Sequence, residues 1–175
     1  MDDAKLSALT PVRMASAVTR IETGPLTILR LFRPTDAEVA AASQRLGFAL
    51  GVEPLRLTDQ AARNVRVGPG EWVVLGADDA WSGKLGDILH HLTDVGHSRA
   101  RWRLNECGAD LLQRGCSLDL DPAVFAPGAC TPTLLAQVSV MILRPGAGPE
   151  LDVIGDIALA DYLEAWLTDA ATGLS

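Results

Sequence analysis

The residues of this chain that could carry acid–base or nucleophilic chemistry are few. There are three histidines and three cysteines, and histidine is the first candidate because its side-chain pKa suits proton transfer near neutral pH. His97 closely follows Asp94, and a carboxylate bound to one ring nitrogen would make this imidazole an oriented general base. The alternative is a hydrogen bond that only stabilises a turn. The sequence favours the turn, because no serine elbow accompanies the pair and Cys107 lies a strand away.

The other histidines and the cysteines favour structural roles. His90 and His91 are predicted at the end of a helix, where an imidazolium is mildly favoured by the helix dipole. The cysteines lack C-x-x-C spacing, so we expect buried thiols acting as small apolar side chains rather than a zinc site. They are Cys107, Cys116 and Cys130. Asp119 and Asp121 lack the glycine and acid pattern of a calcium loop. We therefore assign no catalytic residue, no cofactor-binding residue and no metal ligand.

A basic strand is predicted over residues 98–104, because its side chains alternate between apolar and charged. One face carries Ser98, Ala100, Trp102 and Leu104, and the other carries Arg99, Arg101 and Arg103. Three like charges on one face of a strand repel each other unless other groups neutralise them. Two interpretations stay open. The arginines form either a solvated face neutralised by the chain's own acids or a patch for a partner's carboxylates or an anionic ligand.

The first half of the chain predicts a strand, a helix, a hairpin and a second helix. Thr35 and Glu38 have capping-box spacing, and Gly47 is expected to end the first helix. Ser82 is predicted to cap the second helix, because apolar residues follow it at i, i+3, i+4 and i+7. These residues are Leu85, Ile88, Leu89 and Leu92. The predicted strands are Leu26–Phe32, Val52–Leu57 and the hairpin pair Asn64–Val67 and Glu71–Leu75 around Gly68-Pro69-Gly70.

The second half repeats this plan. After the basic strand, Asn105 is predicted to cap a short helix that Gly115 ends in a left-handed conformation. Asp121 and Pro122 form a further cap and first turn. Strands follow near Thr133–Ala136, Val138–Leu143 and Leu151–Ile154. The closing helix is predicted to place Leu159, Tyr162, Leu163, Trp166 and Leu167 on one face. The sequence thus predicts a single α+β domain over residues 21–175, made of two related strand-helix-hairpin-helix halves with helices on one side of the sheets.

Composition excludes several classes of partner. The chain has 175 residues, 48% of them hydrophobic, and a net charge of −7. This acid excess opposes binding to nucleic acid, and no apolar run is long enough to span a membrane. No signal peptide is recognised, and the scattered cysteines indicate a reduced, cytoplasmic protein. Residues 1–20 predict a flexible N-terminal arm, either a disordered tail or a segment that orders only against another subunit.

Several segments, taken in order, resemble a known family. Asp94–His97, the basic strand and Cys107–Leu112 resemble the signature of the aminomethyltransferase (glycine-cleavage T protein) superfamily. The segments Arg114–Asp121, Phe125–Cys130, Leu134–Gln137 and Asp161–Leu167 resemble the gamma subunit of heterotetrameric sarcosine oxidase. The resemblance runs from about Leu46 to Leu167, which is most of the chain.

The resemblance implies the folate-binding-domain fold of that superfamily and a non-catalytic accessory role. The chain would be a gamma-type subunit that supports assembly of a flavoenzyme with alpha, beta and delta subunits. That enzyme oxidatively demethylates sarcosine or another N-methyl amino acid and passes the one-carbon unit to tetrahydrofolate. FAD, FMN, NAD, zinc and tetrahydrofolate are implied for the other subunits, and no cofactor is implied for this chain.

Two alternatives remain. The shared superfamily fold permits a stand-alone tetrahydrofolate-binding or one-carbon transferase domain, although no residue can be matched to the pterin-binding carboxylate. The third interpretation is a binding module that holds a small anionic ligand on Arg99, Arg101 and Arg103.

Overall fold

A computed structural model describes residues 17–58, 62–76, 81 and 83–172. Over these residues it contains three α-helices and two sheets of five and four strands. The strands are β1 Val18–Ile21, β2 Leu26–Leu31, β3 Arg63–Gly68, β4 Glu71–Leu75, β5 His90–Asp94, β6 Arg99–Leu104, β7 Cys130–Leu135, β8 Val138–Leu143 and β9 Leu151–Asp156. The helices are α1 Asp36–Leu46, α2 Gly108–Leu112 and α3 Ala160–Thr172, with short 3-10 turns at Gly96–Ser98 and Ile157–Leu159. The predicted mixture of helices and sheets is therefore confirmed.

The chain divides into two compact units. Among the described residues, unit 1 comprises residues 17–22, 98–127 and 131–172, and unit 2 comprises the described residues between 23 and 97 together with residues 128–130. The sheet of unit 1 has the order β1-β6-β9-β8-β7, and that of unit 2 has the order β3-β4-β2-β5. The prediction of a single domain stays a prediction, since compact units do not by themselves define separately folding domains.

Most of the predicted N-terminal arm, residues 1–16, lies outside the described residues. The last part of the arm forms β1, which pairs antiparallel with β6 from Val18 opposite Leu104 to Ile21 opposite Arg101. Strand β1 therefore begins within the segment that the sequence predicts to be the arm. This four-residue strand has little apolar pattern, so its pairing with β6 rather than its own sequence determines its extended conformation.

Helix α1 of unit 2 begins and ends as its sequence predicts. The Thr35 hydroxyl accepts from the Glu38 amide, and the Thr35 amide donates to the Glu38 carboxylate at 2.7 Å, which completes the capping box. Gly47 ends the helix in the left-handed conformation at φ 82°. The helix buries Ala42 and Leu46 in a core shared with the sheet. Burying each leucine-sized side chain of such a core contributes about 1.5–3 kcal/mol.

The helix predicted from Ser82 is wrong. Ser82 lies outside the described residues, residues 83–87 form turns, and the chain then enters β5, which pairs with β2. Gly86 adopts φ 59°, which interrupts a right-handed helix. Leu85, Ile88 and Leu92 reach the core of unit 2 from a turn and a strand, whereas Leu89 is 70% exposed. The spacing of 3.6 residues was therefore coincidental, and the predicted strand-helix-hairpin-helix repeat fails in this half.

In unit 1, the five-stranded sheet packs one face against α3. A Cβ on Gly155 of β9 would lie 2.8 Å from Leu163 of α3 and 3.6 Å from Trp102 of β6, so the glycine permits close packing. The apolar face predicted for the closing helix, α3, is corrected at two positions. Leu159 precedes the helix, and it and Tyr162 are exposed, while Leu163 and Leu167 are buried.

The short helix α2 also departs from its prediction. Asn105 accepts a hydrogen bond from the Cys107 amide through its side chain, but Cys107 occupies the N-cap position. The left-handed ending predicted for Gly115 is wrong, because the helix ends at Leu112 with Gln113 as its C-cap and Gly115 has no positive φ. Gly115 instead makes room for Trp166, whose ring would lie 2.4 Å from a Cβ at this position. After α2, Asp121 caps a single turn rather than a longer helix.

Candidate functional site

The basic strand forms a charged cluster with two acids of β9, which we call the arginine face. It consists of Arg99, Arg101 and Arg103 on β6 and Asp152 and Asp156 on β9. The antiparallel register sets Arg99 opposite Asp156 and Arg103 opposite Asp152. Because side chains two residues apart share one side of a strand, all five point to the same face of the sheet.

Asp152 is fully buried and binds two arginines. Arg103 donates from Nε to Oδ1 at 2.7 Å and from Nη2 to Oδ2 at 2.8 Å, which is a bidentate fork. Arg101 donates from Nη2 and Nε to Oδ2 at 2.5 and 3.2 Å. The Arg101 side chain is only 16% exposed. A carboxylate enclosed in this way is tolerated only because both of its oxygens accept charged hydrogen bonds.

The electrostatics of Asp152 follow from this enclosure. Burial by itself raises the pKa of Asp152, but the hydrogen bonds from Arg103 and Arg101, with their positive charges, outweigh burial and hold the pKa below its ordinary value. The hydrogen bond to Asp152 in turn raises the pKa of Arg103. Asp152 and Arg103 are therefore both charged at neutral pH.

Asp152→Asn is expected to reduce the acid sensitivity of the fold. A carboxyl whose pKa is lowered by folding stabilises the native state above its unfolded pKa and loses this contribution as pH falls through the folded pKa. Below about pH 4 the wild-type free energy of unfolding should therefore fall more steeply than that of the variant. Urea unfolding at a series of pH values measures both curves, and parallel curves would contradict this assignment.

The third arginine is bound more loosely. Arg99 donates from Nη1 to Asp156 Oδ2 at 3.2 Å, and both side chains are partly exposed. Asp156 also accepts from the Ala158 amide and so caps the 3-10 turn before α3. Of the two interpretations from the sequence, the geometry supports an arginine face neutralised by the chain's own acids. The role of Arg103, which is 44% exposed, as a contact for other molecules stays untested.

The predicted pair of Asp94 and His97 is not formed in the described part of the chain. Asp94 Oδ1 instead accepts from the Gly96 amide at 2.9 Å, so the carboxylate does stabilise the turn. His90 and His91 begin β5 rather than end a helix. His90 Nδ1 donates to the Ile88 carbonyl at 2.6 Å. The structure therefore brings no histidine of the described residues onto a carboxylate.

The three cysteines are free thiols, two of them buried and one exposed. Cys116 and Cys130 are buried as predicted, whereas Cys107 is exposed at the start of α2, which corrects the prediction for that residue. Burial raises the pKa of the Cys130 thiol to about 12, which makes it an unreactive small apolar group. Asp119 and Asp121 each accept a backbone amide two residues further on. Among the described residues, no group of three or more histidine, cysteine or acidic side chains could hold a metal ion.

Two features were missed by sequence reasoning. Arg144 at the end of β8 is buried and donates to the carbonyls of Phe125, Leu120 and Gly148. Arg33 and Arg66 line a cavity in unit 2. The position of Arg144 directly after the apolar run of β8 is a weak signal that this arginine is buried. The cavity depends on how segments distant in the sequence pack together, and no local sequence pattern indicates this.

No helix within the described residues is both long and apolar enough to cross a membrane.

The fold resembles that of a known enzyme subunit. A chain in the structure of heterotetrameric sarcosine oxidase from Corynebacterium sp. U-96 in complex with pyrrole 2-carboxylate superimposes with a TM-score of 0.81. The match covers 97% of this chain and 94% of that chain at 20% sequence identity. No protein-family model and no curated protein matches the sequence. The resemblance to a sarcosine oxidase subunit predicted from the sequence is thus confirmed at the level of the fold.

Proposed function

We propose that this chain is a gamma-type, non-catalytic accessory subunit of a heterotetrameric sarcosine oxidase-like flavoenzyme. The observation that carries the proposal is the fold match, which spans 97% of this chain and 94% of a chain of such an enzyme. A match over nearly the whole of both chains fits a subunit of similar size better than a domain of a larger protein. The order of sequence segments that resemble the gamma subunit adds independent support for the choice of subunit.

The accessory role is supported by what the candidate residues do. Asp94 is engaged by a backbone amide, and the Asp152 carboxylate is held by Arg101 and Arg103. A general base must reach the proton that it abstracts, and a carboxylate fully buried between two arginines is poorly suited to that task. These groups stabilise the fold, so the contribution of the chain would be to the assembly and stability of the complex.

The proposal includes the rest of the complex. The partners would be alpha, beta and delta subunits, which would hold FAD, FMN, NAD and zinc and bind tetrahydrofolate. The assembled enzyme would oxidise sarcosine or a related N-methyl amino acid. Free thiols at Cys107, Cys116 and Cys130 are consistent with a reducing compartment, so we place the complex in the cytoplasm.

Co-expression with the three other subunits is expected to yield a complex that contains this chain in stoichiometric amount. Omitting this chain should lower the yield of assembled, flavin-containing enzyme, because an interface of an obligate complex would be left uncovered. Affinity purification through a tag on the alpha subunit, followed by mass measurement of the intact complex, tests both outcomes. The isolated chain serves as a control and should be colourless and inactive on sarcosine.

Two results would contradict this proposal. An assembled and fully active enzyme in the absence of this chain would remove the accessory role. Binding of tetrahydrofolate to the isolated chain more tightly than about 1 mM, measured by calorimetry, would favour the folate-binding alternative.

A further inference from the structure

Unit 2 contains a cavity of about 620 Å³ beside helix α1. Its walls are the N-terminal half of α1, the loop that follows the helix and the turn of the β3–β4 hairpin. Its apolar lining residues are Val39, Leu50, Val52 and Trp72, of which Leu50 and Trp72 are almost fully buried by the chain itself, whereas Val52 is 76% exposed. The size and mostly apolar lining, with a few polar groups, are those of a small-molecule site.

The cavity carries two arginines that lack a carboxylate partner among the described residues. Arg66 lies with its guanidinium 5.9 Å from the centre of the Trp72 ring and donates to the carbonyls of Val52 and Gly68 at 3.2 and 3.4 Å. These contacts hold the guanidinium in place but use only part of its five donors. The orientation of Arg66 is therefore fixed while hydrogen-bonding capacity remains.

Arg33 supplies the second charge. It is exposed and adopts φ 48°, a left-handed conformation that is uncommon for residues other than glycine. Pro34 follows it and restricts its backbone further. Such backbone positions are enriched at ligand-binding sites. Within the described part of the chain, no acid pairs with Arg33.

The acid in the cavity lining limits the negative charge that a ligand can carry. Asp36 also lines the cavity, so the lining has one net positive charge. The first turn of α1 already has its capping box, so an anion would be recognised by the arginines rather than by the helix end. A second negative charge on a ligand would be repelled by Asp36, whereas a planar carboxylate matches the fork of a guanidinium.

We propose that this cavity binds a small monocarboxylate with an apolar body. The carboxylate contacts Arg33 and Arg66, and the apolar body covers Val39 and Val52. This inference is independent of the proposed accessory role, because it concerns a site within unit 2 alone.

Matched pairs of fluorinated probes test the charge requirement. We would titrate the full purified chain with para-(trifluoromethyl)benzoate, para-(trifluoromethyl)phenylacetate and para-fluorobiphenyl carboxylate, each beside its neutral primary amide, and follow fluorine NMR line widths. At least one carboxylate is expected to bind with a Kd below about 1 mM, and its amide about tenfold more weakly.

Two variants test the location. Arg33→Gln is expected to weaken carboxylate binding about tenfold without changing amide binding or the melting temperature, because Arg33 is exposed. Val52→Asp places a negative charge on the apolar wall at an exposed position and should abolish carboxylate binding. Arg30→Gln is the matched control, since Arg30 lies outside the lining and pairs with Glu71.

Three outcomes would overturn the proposal. They are no carboxylate binding at about 2 mM, equal affinity for carboxylates and amides, or unchanged affinity in both Arg33→Gln and Val52→Asp. If the carboxylates bind the isolated chain but are excluded from an assembled complex, the cavity is a docking site for a partner segment. That result also overturns the small-ligand proposal.

Discussion

Arg101→Gln is expected to lower the free energy of unfolding by about 3 kcal/mol, the cost typical of removing one partner of a buried ion pair. The variant leaves the fully buried carboxylate of Asp152 with a single arginine. Water cannot readily replace the lost donors, because the Arg101 side chain is only 16% exposed. Urea unfolding of the purified chain, followed by circular dichroism, measures the change.

Arg99→Gln is the matched control on the same strand. Its ion pair with Asp156 has partly exposed side chains, so its removal should change the free energy of unfolding by roughly 0–1 kcal/mol. Similar losses in the two variants would show that burial of Asp152 does not determine the energetics. Arg103→Gln should fall between them, because Arg103 contacts both oxygens of Asp152 but is more exposed than Arg101.

The ion pairs of Asp152 with Arg101 and Arg103 determine which variants can test the arginine face as a partner surface. Replacing Arg99, Arg101 and Arg103 together would mix a loss of docking with a loss of stability, because two of them hold Asp152. Arg99→Gln alone removes a charge at little cost to the fold. An effect of that variant on assembly would therefore report an interface, since the isolated chain stays folded.

Signals confined to a few residues predicted the local structure well. The capping box of Thr35 and Glu38, the turn at Gly68-Pro69-Gly70 and the alternation along β6 all appear in the fold. Each works because its hydrogen bonds or side-chain directions are set by neighbours in the sequence. The bounds of α1 and of the β3–β4 hairpin could therefore be read without knowledge of the tertiary structure.

Elements that depend on distant partners were predicted poorly. β5 exists because it pairs with β2, and the apolar residues from Leu85 to Leu92, most of which precede this strand, match a helical period by chance. The left-handed conformation of Gly86 excludes a continuous helix and favours a turn followed by a strand. The presence of a glycine in the sequence does not indicate which φ it adopts. Tertiary pairing thus overrides the local pattern here.

The candidate site likewise has one part that the local sequence predicts and one part that depends on a distant strand. The basic side of β6 was visible in the sequence, but its acids were not, because Asp152 meets Arg103 only through the register of β6 and β9. An aspartate inside the apolar run Leu151–Ile154 was the available signal. A buried acid in a strand requires a cationic partner, so this residue and the basic strand could have been connected by charge alone.

Arg144→Met is expected to lower the free energy of unfolding by about 3 kcal/mol, because it leaves two buried carbonyls without their donors. Arg144 is 3% exposed and donates from Nε to the Phe125 carbonyl at 2.7 Å and from Nη2 to the Leu120 carbonyl at 2.9 Å. A weaker bond from Nη1 reaches Gly148 at 3.3 Å. Hydrogen bonds from this single guanidinium therefore connect two loops of unit 1 to the end of β8. One loop carries Leu120 and Phe125, and the other carries Gly148.

Arg144→Lys is the informative comparison, because it keeps the charge and removes the planar fork. An ammonium is a compact point donor that cannot reproduce the separated bonds to Leu120 and Phe125, so this variant should also be destabilised, though less than Arg144→Met. Urea unfolding measures both, and amide hydrogen exchange at Phe125, which donates to the Asp121 carbonyl at 2.7 Å, reports the loop directly. A lysine variant as stable as the wild type would show that charge, rather than the geometry of the fork, holds these loops.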